Sequence, residues 1–225
     1  MHPRLLSLDT TDFEPHISRW IMANLRPGAV FFDVGAHFGW LSLKAARRVG
    51  RNGRVVAFEA SAPAVEILSY HQRVNRLPQM NIIAKAVSDT DDAEIFYLLD
   101  EGLSSRNSLM TGASGLPFLD GPEKPAKSAS RVPAIKLDTY CEAAQLRPDV
   151  IKIDVEGAEG KVLRGASEIL RRFRPALVLS THPYWLPPSE SVEAILDMLA
   201  GYGYRVNDSH IVQFQGYEIG DYLLR

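Results

Sequence analysis

The chain has 225 residues, a formal net charge of −2 at pH 7 and one cysteine. This length fits a single α/β domain with a sizeable core, which we expect to span residues 1–225. The small net charge gives no electrostatic support for binding nucleic acid or an anionic membrane. No apolar run approaches the ~20 residues that a membrane-spanning helix needs. We therefore expect neither partner.

The single cysteine, Cys141, excludes a disulfide framework and fits a reducing cytoplasm. Residues 1–4 also lack the apolar core of a signal peptide, so we expect a cytoplasmic protein. A homo-oligomer is compatible with the sequence. An amphipathic helix is predicted over residues 12–26, because apolar residues recur there every four positions. This helix would lie against the edge of the sheet or over the opening of the ligand-binding site.

Residues 30–39 predict a strand, a glycine turn and the start of a helix, which together form the first half of a βαβ unit. Gly35 and Gly39 have no Cβ and would let the backbone approach a ligand closely. Their spacing lacks the third glycine of the dinucleotide pattern, so a pyrophosphate is not the expected ligand.

A second buried strand is predicted over residues 54–59, and it ends in Glu59. In a βαβ unit, an acid at this distance from the glycine turn reaches the ribose hydroxyls of a nucleoside. Ser61 would then cap a helix that runs to about Asn75. A third strand over residues 81–87 precedes Asp89, which would either belong to a turn or contact adenine.

Residues 101–133 interrupt the pattern with many glycines, prolines and serines. Such a long segment is either a lid over a site or disordered, and both alternatives stay open. Regular structure resumes with a strand that ends in Asp154, a helix that runs to Phe173, and a strand over residues 176–181 that ends at His182. Ser189 is predicted to begin another helix, and residues 204–224 predict an antiparallel hairpin.

The predicted fold is therefore α/β, with a mostly parallel central sheet, helices on both faces and a C-terminal antiparallel hairpin. Open parallel sheets bind ligands at the carboxyl ends of their strands. Five polar residues are predicted at such ends: Asp33, Glu59, Asp89, Asp154 and His182.

Residues 33–39 resemble the S-adenosylmethionine loop of class I methyltransferases. Residues 151–159, continued by residues 162–166, resemble the signature of the FkbM family of methyltransferases, which mostly methylate hydroxyl oxygens. The resemblance implies a Rossmann-like class I methyltransferase fold and S-adenosylmethionine as cofactor. It also implies an O-methylation whose acceptor is a hydroxyl of a small molecule, such as a sugar, a polyketide or another natural product.

Together, the resemblance and the strand-end positions predict two groups of site residues. The cofactor-binding group is Asp33, Gly35, Ala36, His37, Gly39, Glu59, Ala60, Ser88, Asp89 and Asp154. The catalytic group is Asp154, Glu156 and His182, which would take the acceptor proton or hold a divalent cation. No close ligand spacing requires a metal, so a metal-free site is favoured.

Each assignment has a purely structural alternative. Asp154 and Glu156 could cap the following helix, and His37 and His182 could satisfy backbone groups. A nucleotide-dependent oxidoreductase and a catalytically silent cofactor-binding domain are the alternative functions. The missing third glycine disfavours the oxidoreductase, and the intact set of strand-end acids disfavours the silent domain.

Overall fold

A computed structural model describes residues 14–98, 109, 128–214 and 217–225. The strands are β1 Val30–Val34, β2 Arg54–Phe58, β3 Met80–Ile83, β4 Ala86–Val87, β5 Ala93–Leu98, β6 Ser128–Ile135, β7 Val150–Ile153, β8 Ala176–Thr181, β9 Val206–Phe214 and β10 Tyr217–Leu224. The helices are α1 Pro15–Asn24, α2 Trp40–Val49, α3 Ala62–Val74, α4 Leu137–Ala144, α5 Glu159–Arg164, α6 Ser167–Phe173 and α7 Val192–Gly201. None of the helices in these ranges is long and apolar enough to cross a membrane.

Seven strands form the central sheet in the order β3-β2-β1-β7-β8-β10-β9. The first five are parallel, and β10 pairs antiparallel with both β8 and β9. The chain builds outward from β1 to β3 and then returns to β7 on the other side of β1. Ligands of open parallel sheets bind at such a switch point. The predicted fold class and the C-terminal hairpin are confirmed.

Side chains of the central strands alternate between two cores, because successive residues of a strand point to opposite faces. Phe32, Val56 and Ile151 belong to one buried cluster with residues of α4, α5, α6 and α7. Phe31 and Val55 belong to the other cluster, with residues of α1, α2 and α3. Helices therefore cover both faces, and the predicted apolar strands are buried on both sides, as parallel strands usually are.

Two predicted elements are divided in the structure. The strand predicted over residues 81–87 is split between β3 of the central sheet and β4, which joins a side sheet in the order β4-β6-β5. The helix predicted to reach Phe173 is split into α5 and α6 at Gly165, where a Cβ would collide with the carbonyl oxygen of Ser88. Tertiary contacts of this kind leave no periodic signal in the sequence.

Several predicted boundaries were wrong. α7 begins at Val192, and Ser191 caps it by accepting the Ala194 N–H, so Ser189 does not begin this helix. β6 begins at Ser128 and pairs with β5, so the end of the predicted loop 101–133 is a strand. α4 was not predicted. Apart from residue 109, the rest of that loop lies outside the described residues, and so do residues 12 and 13 of the predicted N-terminal helix.

The start of α6 depends on a carboxylate from α4. Both oxygens of Asp138 accept backbone N–H groups at 3.0 Å, from Glu168 and Ile169. The N-cap residue of α6 itself, Ala166, has no side-chain acceptor. Asp138 therefore supplies the cap from another helix and ties α4 to α6.

We predict that Asp138→Ala lowers the free energy of unfolding by about 1–2 kcal/mol, the usual effect of losing a capping acceptor. Urea unfolding followed by circular dichroism measures the change. Asp208→Ala is the matched control, because Asp208 is exposed on β9 and accepts the N–H of its own neighbour, Ser209. Equal stability losses in the two variants would contradict the capping role.

Candidate active site

Three residues meet at the carboxyl edge of the central sheet because their strands end in register. Val34 pairs with Phe58 on one side and with Ile153 on the other. The next residues along the chain are Gly35, Glu59 and Asp154, which therefore lie side by side at the switch point. His182 follows β8, the neighbour of β7.

Most N–H groups of the turn between β1 and α2 already donate hydrogen bonds within the protein. The Gly35 and Ala36 N–H groups donate to the Phe58 carbonyl oxygen at 3.1 and 3.0 Å, and the Gly39 N–H donates to the Ala36 carbonyl oxygen at 2.8 Å. The His37 N–H donates to Glu59 Oε2 at 2.7 Å. Dinucleotide-binding loops instead offer such donors to a pyrophosphate, so this turn disfavours the oxidoreductase alternative.

The two glycines of the turn have packing reasons of their own. Gly35 has φ +81°, and a Cβ there would collide with the Asp154 carbonyl oxygen. Gly39 has φ +84°, and a Cβ there would collide with the Leu68 side chain of α3. Both glycines are needed to hold the turn against its neighbours, independently of any ligand.

Glu59 fixes the position of this turn relative to β2. Its Oε2 holds His37 as described, and its Oε1 accepts the Ser61 N–H at 2.8 Å. Burial raises the pKa of this carboxyl, and the N–H groups of Ser61, His37 and Ala60 oppose that rise. Each carboxylate oxygen has a second lone pair, so Glu59 can accept further hydrogen bonds from ligand hydroxyls.

Asp33 lies within the sheet and joins three elements. Its Oδ2 accepts the Ser42 hydroxyl hydrogen at 2.5 Å, which connects β1 to the first turn of α2. Burial raises its pKa, against the opposing effects of Lys152 and Ser42. The side chain is 1% exposed, so Asp33 supports the elements around the turn and is not placed to contact a ligand directly.

Lys152 is a site residue that the sequence reasoning missed. It is the register partner of Asp33, and its Nζ lies 2.9 Å from Asp154 Oδ2, 3.3 Å from the Gly35 carbonyl oxygen and 3.8 Å from Asp33 Oδ1. Burial alone would lower its pKa, but the carboxylates of Asp154, Asp33 and Glu14 raise it. The available signal was a lysine within the otherwise apolar, fully buried strand β7.

The three predicted catalytic residues are brought together. His182 Nε2 lies 3.6 Å from Asp154 Oδ1 and 3.4 Å from Glu156 Oε2. One ligand atom of each residue lies within 4.8 Å of the other two. Asp154 is the most accessible of the three, with 22% of its side chain exposed.

The carboxylates set the protonation of this cluster. Burial would lower the pKa of His182, but Glu156, Glu159 and Asp154 raise it to about 10. Burial would raise the pKa of Asp154, but Lys152 and His182 together lower it. Asp154 is therefore ionised at neutral pH.

Glu159 is the second residue that the sequence reasoning underestimated. As an acid in the first turn of α5, it has an ordinary local explanation, because the helix dipole stabilises negative charge there. The structure buries it completely, with Oε1 bonded to His182 Nδ1 at 2.9 Å and to the Gly157 N–H at 3.0 Å. Glu159 therefore orients the imidazole so that Nε2 faces Asp154 and Glu156.

The segment after β8 closes one side of the cluster. The Trp185 ring centroid lies 5.5 Å from that of His182. Gly157 has φ +96°, and a Cβ there would collide with the Trp185 carbonyl oxygen. Trp185 and Leu186 are buried, whereas Tyr184 is exposed.

Ser88 and Asp89 follow β4 of the side sheet rather than a strand of the central sheet, so that expectation for Asp89 was wrong. The Ser88 hydroxyl donates to Glu94 Oε1 at 2.6 Å. Asp89 Oδ2 lies 2.9 Å from Arg164 Nε, and this cation lowers the Asp89 pKa against partial burial. An adenine contact from Asp89 would compete with this ion pair.

The start of α1 lies near the same sheet edge. His16 Nε2 lies 2.8 Å from Asp221 Oδ2, and the Ser180 hydroxyl donates to Asp221 Oδ1 at 2.6 Å. Burial, with Asp154 next in effect, raises the pKa of Glu14 to about 7. Helix α1 thus brings further polar groups towards the cluster, close to where the sequence analysis placed it.

Several solved structures with the same fold are methyltransferases of low sequence identity. Methyltransferase FkbM from Methylobacillus flagellatus KT is 15% identical with a TM-score of 0.55, and the match covers 88% of this chain and 44% of that one. An rRNA methylase from Streptococcus thermophilus is 10% identical with a TM-score of 0.53 over 93% of each chain. Fibrillarin from Aeropyrum pernix, with S-adenosyl-L-methionine bound, is 11% identical with a TM-score of 0.51 over 89% of this chain and 67% of that one.

At these identities the solved structures establish the fold alone, and the chain spans less than half the length of the FkbM structure. No curated protein sequence matches it significantly. The sequence model of the methyltransferase FkbM domain matches residues 33–206, from Asp33 at the end of β1 to the start of β9. This match covers most of the chain and includes both the glycine turn and the acid–histidine cluster. The chain therefore belongs to the FkbM family of methyltransferases.

Proposed function

We propose that this protein transfers a methyl group from S-adenosylmethionine to a hydroxyl oxygen of a small molecule, such as a sugar, a polyketide or another natural product. One observation carries the proposal. The Glu59-supported turn and the cluster of Asp154, Glu156 and His182 lie on adjoining strand ends at the switch point of the sheet. A donor at the turn and an acceptor at the cluster would therefore be neighbours.

The cofactor side of the site suits a cationic nucleoside. Glu59 has lone pairs for the ribose hydroxyls, as an acid after the second strand has in related folds. Most N–H groups of the turn already donate within the protein, which leaves few for a pyrophosphate. Asp154, kept ionised by Lys152, follows the next strand and lies on the acceptor side of such a nucleoside.

The acceptor side suits removal of a proton. The acceptor oxygen attacks the methyl carbon in line, a C–O bond forms, and the C–S bond breaks with its electron pair left on sulfur. The hydroxyl proton must leave, and the carboxylate of Asp154 is the partly exposed, ionised acceptor at this place. Alignment of donor and acceptor supplies much of the remaining acceleration.

The charge of the chain bears on the class of the acceptor. The net charge of −2 disfavours an electrostatic attraction to nucleic acid. The rRNA methylase among the structural neighbours nevertheless has the same fold, so the fold does not exclude an RNA acceptor.

A panel of hydroxylated small molecules and RNA, incubated with methyl-labelled S-adenosylmethionine, separates the two classes. Labelled RNA without any labelled small molecule would overturn the small-molecule proposal.

We predict that Glu59→Gln raises the Kd for S-adenosylmethionine about 10–100-fold, equivalent to ~1.4–2.8 kcal/mol. The amide nitrogen of glutamine cannot accept a hydrogen bond, so either a turn N–H or a ribose hydroxyl loses its acceptor. Isothermal titration calorimetry measures the affinity. Glu66→Gln, at an exposed position on α3, is the matched control. Unchanged affinity in a folded Glu59→Gln protein would refute the ribose assignment.

We predict that Asp154→Asn lowers turnover about 100-fold or more, the scale of losing a general base, because asparagine keeps the shape and removes the charge. Binding of S-adenosylmethionine should stay near that of the unmodified protein. Single-turnover assays with an acceptor from the panel measure the rate, and calorimetry measures the affinity. Asp197→Asn, exposed on α7, is the control. Normal turnover in Asp154→Asn would leave Asp154 with a structural role.

A further inference from the structure

We infer that Asp154, Glu156 and His182 form a binding site for one divalent metal ion, and that Mn²⁺ fits it better than Mg²⁺ or Ca²⁺. The three residues come from two neighbouring strand ends and offer two carboxylate oxygens and one imidazole nitrogen. The role of the ion in catalysis rests on the proposed methyl transfer, whereas its binding does not.

The distances fit a shared ion better than direct ion pairs. An ion bound about 2.1–2.2 Å from its ligands places neighbouring ligand atoms about 3.0 Å apart and opposite ones about 4.3 Å apart. His182 Nε2 lies 3.4 Å from the Glu156 oxygen and 3.6 Å from the Asp154 oxygen, within that interval. A charged imidazolium hydrogen bond would instead be about 2.7–2.9 Å long.

The imidazole is also held as a metal-binding imidazole usually is. Metal-ligating histidines donate their other ring N–H to a carboxylate or carbonyl, which fixes the ring and its tautomer. His182 Nδ1 makes this bond to Glu159 Oε1 at 2.9 Å, and both side chains are almost fully buried. This bond leaves Nε2 directed at the other two ligand atoms. A group of exposed acids would have no such arrangement.

The charges around the cluster favour the binding of a further cation. An imidazole binds a metal in its neutral form. With His182 neutral, Glu156 and Glu159 lose a positively charged partner, and Lys152 still faces Asp33 and Asp154. A bound dication would compensate the excess negative charge of these carboxylates.

The donor set favours Mn²⁺ over the commoner hard ions. Carboxylates suit Mg²⁺, Ca²⁺ and Mn²⁺, whereas imidazole suits the transition metals, so a mixed set selects an ion that accepts both. A bound divalent ion lowers the pKa of a coordinated hydroxyl and so helps the acceptor oxygen to lose its proton.

Titration calorimetry of MnCl₂ into chelator-treated protein, without cofactor or acceptor, tests the site directly. We expect one Mn²⁺ per chain, tighter than Mg²⁺ or Ca²⁺, with a rise in Tm on adding Mn²⁺. Glu156→Gln and His182→Gln should each weaken Mn²⁺ binding at least about 10-fold. Glu159→Gln should weaken it about 10–100-fold, because the imidazole loses its supporting carboxylate.

His210→Gln and Glu66→Gln are the matched controls at exposed positions and should bind Mn²⁺ normally. If His182→Gln does not fold, Glu156→Gln and Glu159→Gln provide the same test. Absence of Mn²⁺ binding to the unmodified protein, or unchanged affinity in the folded variants, would overturn the inference. If methyl transfer persists in the presence of a chelator, the ion has no role in the reaction. If the protein binds Mn²⁺ but transfers no methyl group, the proposed function is overturned and the metal site is not.

Discussion

The rest of the site depends on the ion pairs and the hydrogen bond that the buried ammonium group of Lys152 makes. It lies between β1 and β7, pairs in register with Asp33 and contacts Asp154 and the Gly35 carbonyl oxygen. Removing one partner from a buried charge pair typically costs about 3–5 kcal/mol, because the remaining charge is left without compensation. One side chain therefore fixes the turn on the proposed cofactor side and the carboxylate on the proposed acceptor side.

The sheet register explains why residues far apart in the chain share one site. Strands β2, β1 and β7 end at the same level, and β8 continues slightly further. Glu59, Gly35 and Asp154 are placed by these strand ends, while Gly35 remains a glycine because the Asp154 carbonyl oxygen occupies the space of a Cβ. At this edge, the backbone packing that requires a glycine at position 35 is therefore the same packing that positions the acidic side chains.

Much of the fold followed from sequence pattern because parallel strands buried on both faces form continuous apolar runs. Residues 30–34, 54–58, 150–153 and 176–181 were predicted closely, as were the strand-end acids of β2 and β7. The break between β3 and β4 and the break at Gly165 were missed, since both arise from contacts with distant segments. Local periodicity carries no information about such contacts.

The same limit explains the two missed site residues. A lysine within an apolar strand and an acid in the first turn of a helix each have an ordinary local interpretation. Only the three-dimensional arrangement shows that Lys152 neutralises Asp33 and Asp154 and that Glu159 holds His182. Both residues act through another side chain, so their importance depends on partners that sequence spacing does not specify.

The cofactor side and the acceptor side of the site are linked through a short chain of contacts. Glu59 holds the turn through the His37 N–H, the turn presents the Gly35 carbonyl oxygen to Lys152, and Lys152 holds Asp154. His182 then connects Asp154 to Glu159 at the start of α5. A change of charge at one end alters the electrostatic balance at the other, because every intermediate group is ionic or a backbone dipole in a poorly hydrated place. The positive charge of a bound sulfonium would therefore be felt at the acid–histidine cluster, and its loss on methyl transfer would leave that cluster more negative than in the donor complex.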